Sequence, residues 1–311
     1  MREPRTCVID AHTHSPGGPR GIRGLVRRLR SSGAHAAVIL GIPPLKPPSI
    51  PMDEVVREHA RAEGLIRKYA PWIAEALSPE SLMASTILLT RSLQPLCQAL
   101  GTGRGDYTIL AGVNLGMEGE DLAKWLHNAL DRGAGGFKVI STLQLRYLDD
   151  PSMRIVLEVA EKRGVPVVVH AGCDPGIWEL PAFCRYGDPS RLEGLLREHR
   201  DAVIVIAHAG GYSAIAPGVF TEEALHLARR FNGVRVDTSA LPPELAAYVA
   251  STLPKGKVLY GTDYPVVDGL DPGAYLREVY TILRTRGVSR ERLEAYLHGA
   301  AEEVFGVKCP G

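Results

Sequence analysis

Val8-Ile9-Asp10-Ala11-His12-Thr13-His14 is the first regular segment of the chain, an apolar run that closes on two histidines spaced i, i+2. Alternate side chains of a strand share a face. Asp10, His12 and His14 are therefore expected to point the same way at the strand's C-terminal end. Two imidazoles held on one face by a stiff strand make half of a metal site. The other half must come from elsewhere in the sequence.

Downstream, Ile22, Leu25, Val26 and Leu29 recur at helical spacing before Gly33, and 36–42 reads as a second strand. The prolines of 43–51 exclude a regular element there. Residues 52–104 read as two or three helices. One apolar face holds Leu65, Ile66, Tyr69, Trp72 and Ile73, and another holds Leu93, Leu96, Cys97 and Leu100. The whole of 43–106 is too long for a loop and is expected to be a helical insertion capping one end of the core. Strands are then expected at 107–115, 136–140, 165–171, 202–209, 234–239 and 257–262, with helices between them and at 272–286 and 290–304. Eight strand–helix units whose strands are continuous apolar runs predict an α/β fold, a closed (β/α)8 TIM barrel forming a single domain over 1–311. No Gly-x-Gly-x-x-Gly turn follows the first strand, which disfavours a dinucleotide-binding open sheet.

The 311 residues carry 36 Lys and Arg against 35 Asp and Glu, a net charge of +1. That lacks the basic bias of nucleic-acid or membrane-surface proteins. No apolar run approaches the roughly 20 residues of a membrane span, and the first strand starts too near Met1 for a signal peptide. The expectation is a cytoplasmic protein with a small-molecule partner, no nucleic-acid or membrane partner, and homo-oligomerisation left open. Cys7, Cys97, Cys173, Cys184 and Cys309 are scattered and form no CxxC pair. Neither a disulfide framework nor a thiolate zinc site is expected, and Cys7 reads as a buried strand residue. The excess of arginine over lysine fits a heat-adapted or GC-rich source.

Barrels of this kind keep their chemistry at the C-terminal ends of the strands. The fourth strand ends near Lys138, the fifth at His170, the sixth at His208 and the eighth at Asp263. With His12 and His14, six ionisable residues are expected at one rim, and burying so many polar groups without a purpose costs stability.

These residues carry a resemblance. His12-x-His14, Val-Val-Val-His170-Ala-Gly, Ala-His208-Ala-Gly-Gly and Tyr-Gly-Thr-Asp263-Tyr-Pro together resemble the amidohydrolase superfamily. They are most similar to its amidohydrolase-2 branch, which includes aminocarboxymuconate semialdehyde decarboxylase and many metal-dependent hydrolases. The closing Ala300-Ala301-Glu302-Glu303-Val304-Phe305-Gly306 is similar to that branch's C-terminal helix, with His298 or Gly299 where the branch usually has Asn. The resemblance covers roughly 5–43 and 107–307. It implies one divalent metal, expected to be Zn2+, held by His12, His14, His170 and Asp263, a donor set that suits zinc or another mid-row ion. It implies that His208 orients or deprotonates the attacking water, with Asp263 able to shuttle the proton. Lys138 is open. In binuclear relatives such a lysine is carbamylated and bridges two metals; otherwise it holds a substrate carboxylate or a structural ion pair.

Asp10 reads either as support for a ligand histidine or as a strand-end hydrogen-bonding group. Trp178, with Phe183, Arg185 and Tyr186, is expected to wall the pocket. Arg146, Tyr147 and Arg20 are candidate contacts for an anionic substrate. His35, His59, His127, His199, His226 and His298 are expected to be surface or capping residues. The activity expected is hydrolysis of a C–O or C–N bond in a lactone, ester or amide. The alternatives are nonoxidative decarboxylation of a conjugated or aromatic acid, and a binuclear lactonase with carbamylated Lys138. A non-catalytic binding protein is disfavoured by the complete ligand set.

Overall fold

In the computed structural model eight short strands run parallel and pair in chain order: β1 (Ile9–Thr13), β2 (Ala36–Leu40), β3 (Tyr107–Gly112), β4 (Phe137–Val139), β5 (Val167–Val169), β6 (Ile204–Ile206), β7 (Val234–Asp237) and β8 (Val258–Leu259). The structure describes residues 6–15, 18–43, 52–69, 71, 74, 76–92, 105–267 and 269–309. The barrel closes where the segment after β8 meets β1: Ala11 donates its N–H to Tyr260 O at 2.9 Å, Asp263 to His12 O at 2.8 Å and His14 to Tyr264 O at 2.9 Å. This is the (β/α)8 barrel expected from the sequence.

The period-2 alternation of the strands sorts their side chains into two layers. Ile9, Val38, Leu40, Leu110, Val168, Val205 and Leu259 pack together inside the barrel. Ile39, Ile109, Phe137, Val139, Val167, Val169, Ile204, Ile206, Val234 and Val236 face the surrounding helices. Those helices are α1 (Gly18–Ser31), α4 (Gly119–Asp131), α5 (Pro151–Arg163), α7 (Glu193–Glu198), α8 (Thr221–Arg230), α9 (Pro243–Thr252), α10 (Pro272–Thr285), α11 (Arg290–Glu294) and α12 (Ala300–Phe305), with a short α6 (Pro181–Cys184) in the loop after β5. Local sequence sets their limits. Asp150 accepts a hydrogen bond from Ser152 N at the start of α5, Pro151 occupies its first position, and Gly164 ends it at φ 63°. Ala300, Ala301, Phe305 and Val307 pack against the inner layer, so the C-terminal segment plugs the barrel at the end opposite His14.

Between β2 and β3 lie α2 (Met52–Tyr69) and α3 (Pro79–Ser92). Val55, Leu77 and Leu82 share a cluster with Ile42, Ile140, Leu143, Ile177, Trp178 and Phe183, which follow the C-terminal ends of β2, β4 and β5. Ile177 N donates to Thr86 Oγ1 at 3.0 Å, and Arg185 pairs with Glu54 at 3.7 Å, so both helices are tied to the loop after β5. Trp72, Ile73 and the face of Leu93, Leu96, Cys97 and Leu100 lie outside the described residues, as do the side chains of Arg20, Leu65 and Tyr69. No helix among the described residues is long and apolar enough to cross a membrane.

Two expectations are corrected here. The first concerns cysteine. Cys7 is bonded to Cys309 across 302 residues, and Cys173 to Cys184 across 11. Cys7 precedes β1 and staples it to the C-terminal plug; it is not a strand residue. Spacing could not show this, because barrel closure is what brings the two ends together. Closing so long a loop restricts the unfolded chain, so Cys7→Ser is expected to lower stability by about 2–4 kcal/mol. Denaturant melts of the variant against the non-reduced parent check this.

The second concerns β1. Asp10 pairs with Ala37 but Thr13 with Ile39, so β1 carries one extra residue at this point. Such a bulge re-aims side chains. Asp10 therefore does not join His12 and His14 at the cavity described below. It accepts bonds from Thr262 Oγ1 at 2.6 Å, Thr262 N at 3.0 Å and His12 N at 3.3 Å, fastening β1 to the end of β8.

Candidate metal centre

A tight cavity of about 20 Å³ opens among the strand ends that the sequence marked. Its polar wall is His12, His14, Lys138, His170, Asp174, His208, Tyr212 and Asp263. Its apolar wall is Ile42, Ile140, Leu143 and Val266. The backbone is shaped for this convergence. His208 sits at φ 56° and Asp263 at φ 63°, left-handed conformations that are uncommon outside glycine and gather at functional sites. Gly261 has no room for a side chain: a Cβ there would lie 2.8 Å from His12 Cβ and 3.2 Å from Ser239 Cβ. Strands β6 and β8 are shorter than expected because the chain leaves extended geometry before these residues.

His12 Nδ1 lies 2.9 Å from Asp237 Oδ2, and His14 Nδ1 lies 2.9 Å from the Leu40 carbonyl oxygen. Both partners are acceptors, so each neutral ring carries its proton on Nδ1. Their Nε2 lone pairs then face Asp263 Oδ1 at 3.3 and 3.1 Å. Three lone-pair atoms meet with no proton between them, and His12 Nε2 and Asp263 Oδ1 have no hydrogen-bond partner. A cation resolves this arrangement, and the residues present fit a divalent ion; His12, His14 and Asp263 form one of the compact ligand groups among the described residues.

His170 stands apart from that triad. Its Nε2 has no hydrogen-bond partner but lies 3.3 Å from Asp174 Oδ2, whose own donor is Thr142 Oγ1. Burial raises the Asp174 carboxyl to about 7. His208 packs its ring against His12, His170 and Tyr212, with centroids at 4.7, 5.0 and 4.7 Å. Its Nδ1 is 3.1 Å from the Ser239 carbonyl oxygen, which leaves Nε2 as the lone pair. Burial first, then the neighbouring His12, lowers the His208 imidazole to about 3. Lys138 is 1% exposed and its Nζ has no hydrogen-bond partner; burial lowers its ammonium to about 8, despite Asp237, Asp263 and Asp174.

Other expected residues lie elsewhere. Arg146 is part-exposed and paired with Asp150 at 3.0 Å, and it does not line the cavity. An acceptor four residues away satisfies it locally. Trp178 is buried in the cluster beneath α2 and α3 and also does not line the cavity. Arg185, Tyr147 and Tyr186 stack on one another near Glu54. His199 is buried rather than superficial and bonds Glu161 at 2.9 Å. Sequence reading missed Asp174, Tyr212, Asp237 and Ser239. Its overlooked signals were an acid four residues after His170, an aromatic four after His208, and Asp-Thr-Ser closing the seventh strand.

Burial raises Asp10 from 3.8 to about 7. Between those values the folded chain keeps a proton that the unfolded chain releases, so this group's contribution falls as pH rises from about 4 to 7. Asp10→Asn is expected to flatten the pH dependence of stability in that window, while Asp10→Ala costs about 2–4 kcal/mol by leaving buried donors unpaired. Denaturant titrations at several pH values measure both.

Barrel, bulged first strand and lone-pair cluster at the mouth define a metal-binding (β/α)8 protein. The chain belongs to the amidohydrolase family, whose model matches residues 94–307. No curated protein sequence matches it. Similar solved structures include a probable 2-pyrone-4,6-dicarboxylic acid hydrolase from Acinetobacter baumannii with citric acid bound, at 14% identity and TM-score 0.58, covering 96% of this chain and 99% of that one. Another is 5-carboxyvanillate decarboxylase from Sphingomonas paucimobilis, at 15% identity and TM-score 0.56, covering 97% and 100%. A third is 5-carboxyvanillate decarboxylase from Novosphingobium aromaticivorans complexed with manganese and 4-hydroxy-3-methoxy-5-nitrobenzoic acid, at 13% identity and TM-score 0.57, covering 96% and 95%. At these identities the likeness is one of fold.

Proposed function

We propose that the protein is a metal-dependent hydrolase that cleaves a C–O or C–N bond of a small lactone, ester or amide. The observation that carries this reading is the meeting of the His12 and His14 Nε2 lone pairs with Asp263 Oδ1 beside the free Nε2 of His208. A divalent ion of the zinc type would be held by His12, His14 and Asp263, with His170 a further candidate ligand, and would supply Lewis acidity for carbonyl polarisation. The chain's own groups do the rest. His208 Nε2 accepts a proton from the attacking water and returns it to the leaving atom. Lys138 holds an anionic group of the substrate by its unpartnered ammonium. Ile42, Ile140, Leu143 and Val266 exclude bulk water, and α2 and α3 serve as the cap over this end.

Lys138 also favours a second reading, decarboxylation of an aromatic or conjugated acid, since an unpaired buried ammonium suits a carboxylate. The two decarboxylase structures named above keep that reading in view. Incubating the Zn2+- and Mn2+-loaded protein with lactones and with aromatic carboxylates, while following acid release and CO2, separates the two. Acid release without CO2 supports hydrolysis, and CO2 from the acids overturns it. Two metals and a carboxylated Lys138 in a crystal would move the site to the binuclear class.

Lys138→Met is expected to raise KM for an anionic substrate about 10–100-fold, the worth of one charge-assisted hydrogen bond, with little change in kcat. In the parent, KM should rise as pH passes about 8, where the ammonium is lost. Because the buried charge has no partner, thermal stability of the variant should not fall. Steady-state kinetics against pH and a thermal melt check the three outcomes together.

A further inference from the structure

Behind the cavity, Asp237 and Ser239 are fully buried at the end of β7. Asp237 Oδ1 accepts the backbone N–H groups of His208 and Ser239, each at 3.0 Å, and the Ser239 hydroxyl. Asp237 Oδ2 accepts from His12 Nδ1 at 2.9 Å. A carboxylate offers acceptors alone, so the single hydroxyl proton of Ser239 is committed to it. Ser239 Oγ can then only accept, and it lies 3.0 Å from His12 Nδ1 and 2.9 Å from His208 Nδ1. The Ser239 carbonyl oxygen, also an acceptor, is 3.1 Å from His208 Nδ1. The hydrogen-bond partners of both Nδ1 atoms are thus all acceptors. Glycine at 261 is what allows this approach, because a Cβ there would crowd both His12 and Ser239.

We infer that Asp237 and Ser239 are positioning residues that hold His12 and His208 together in the Nδ1–H tautomer, so that one hydroxyl joins the two Nδ1–H groups and leaves Nε2 of the first as the ligand atom and Nε2 of the second as the base. The inference rests on the roles proposed above for His12 and His208. A purely structural Asp237 would need only its two backbone N–H bonds. Asparagine keeps one carbonyl oxygen for those bonds but can present an amide N–H to His12 Nδ1. That turns the ring to its Nε2–H form, which cannot bind a metal through Nε2.

The test is long-range 1H–15N correlation NMR of metal-free protein labelled with 15N-histidine, with peaks assigned by His12→Gln and His208→Gln, together with Zn2+ titration against a chromophoric chelator. In the parent, both rings are expected to show a protonated Nδ1 and a pyridine-like Nε2. In Asp237→Asn, His12 is expected to switch to Nε2–H and Zn2+ affinity to fall about 10–100-fold. His208 should keep its tautomer there through the Ser239 carbonyl. An Nε2–H tautomer for either ring in the parent overturns the inference, and so does a folded Asp237→Asn that binds Zn2+ as tightly as the parent. If the variant does not fold, the parent tautomers decide. No substrate is used, so failure to find a hydrolysed compound leaves this result standing.

Discussion

Replacing His12 and His14 together by alanine is expected to strip the protein of its metal. The parent, purified without added ion, should carry about one equivalent of divalent metal per chain, and the double variant less than about a tenth. The reason is local. These two rings supply two of the three lone pairs that meet at 3.1–3.3 Å, and Asp263 alone cannot hold an ion against water. Hydrolysis should fall to background, because the remaining groups cannot polarise a carbonyl by themselves. Stability should respond in a matching way. An ion present at about a hundred times its dissociation constant adds about 2.7 kcal/mol, so a chelator should lower the parent's Tm by about 4 °C. The double variant should show no such shift. Mass spectrometry of the metal content and paired melts read both effects, and a double variant that keeps a full equivalent would remove His12 and His14 from the site.

His208→Gln is expected to act on the chemistry and leave the metal in place. His208 is not needed to complete the lone-pair triad, yet its Nε2 is the base in the proposed reaction. Loss of a general base typically costs 10²–10⁴-fold in rate, so kcat should fall by about that much while metal content and KM stay near those of the parent. Glutamine keeps a polar group of similar reach beside Tyr212, which limits repacking. Burial lowers the His208 imidazole to about 3, so the ring is neutral throughout the neutral range. A kcat within tenfold of the parent's would mean that the proton goes elsewhere, with Asp174 the next group on the wall.

Much of this site was legible because a parallel barrel is a simple address system. A polar residue ending an apolar strand must lie at one rim, and His12, His14, Lys138, His170, His208 and Asp263 all line the cavity there. What alternation could not show is the bulge in β1, which turns Asp10 from the imidazoles to Thr262. A one-residue register shift leaves no mark in composition. The Asp237–Ser239 pair was hidden differently. Its strand was recognised, but its side chains act from behind the ligands, and only three-dimensional distances join them to His12 and His208. Cys7 and Cys309 illustrate the same limit at the largest sequence separation. Arg146 shows the opposite limit: read as a contact for a distant anion, it pairs with Asp150 four residues on, in the loop that leads into α5.

One divalent ion is expected to sit at the barrel mouth between β1 and the end of β8. A crystal of Zn2+-loaded protein, measured on both sides of the zinc absorption edge, tests it most directly. A single anomalous peak is expected within about 2.0–2.2 Å of His12 Nε2, His14 Nε2 and an Asp263 oxygen. A well-ordered site with no peak there, or zinc bound only elsewhere on the molecule, would contradict it.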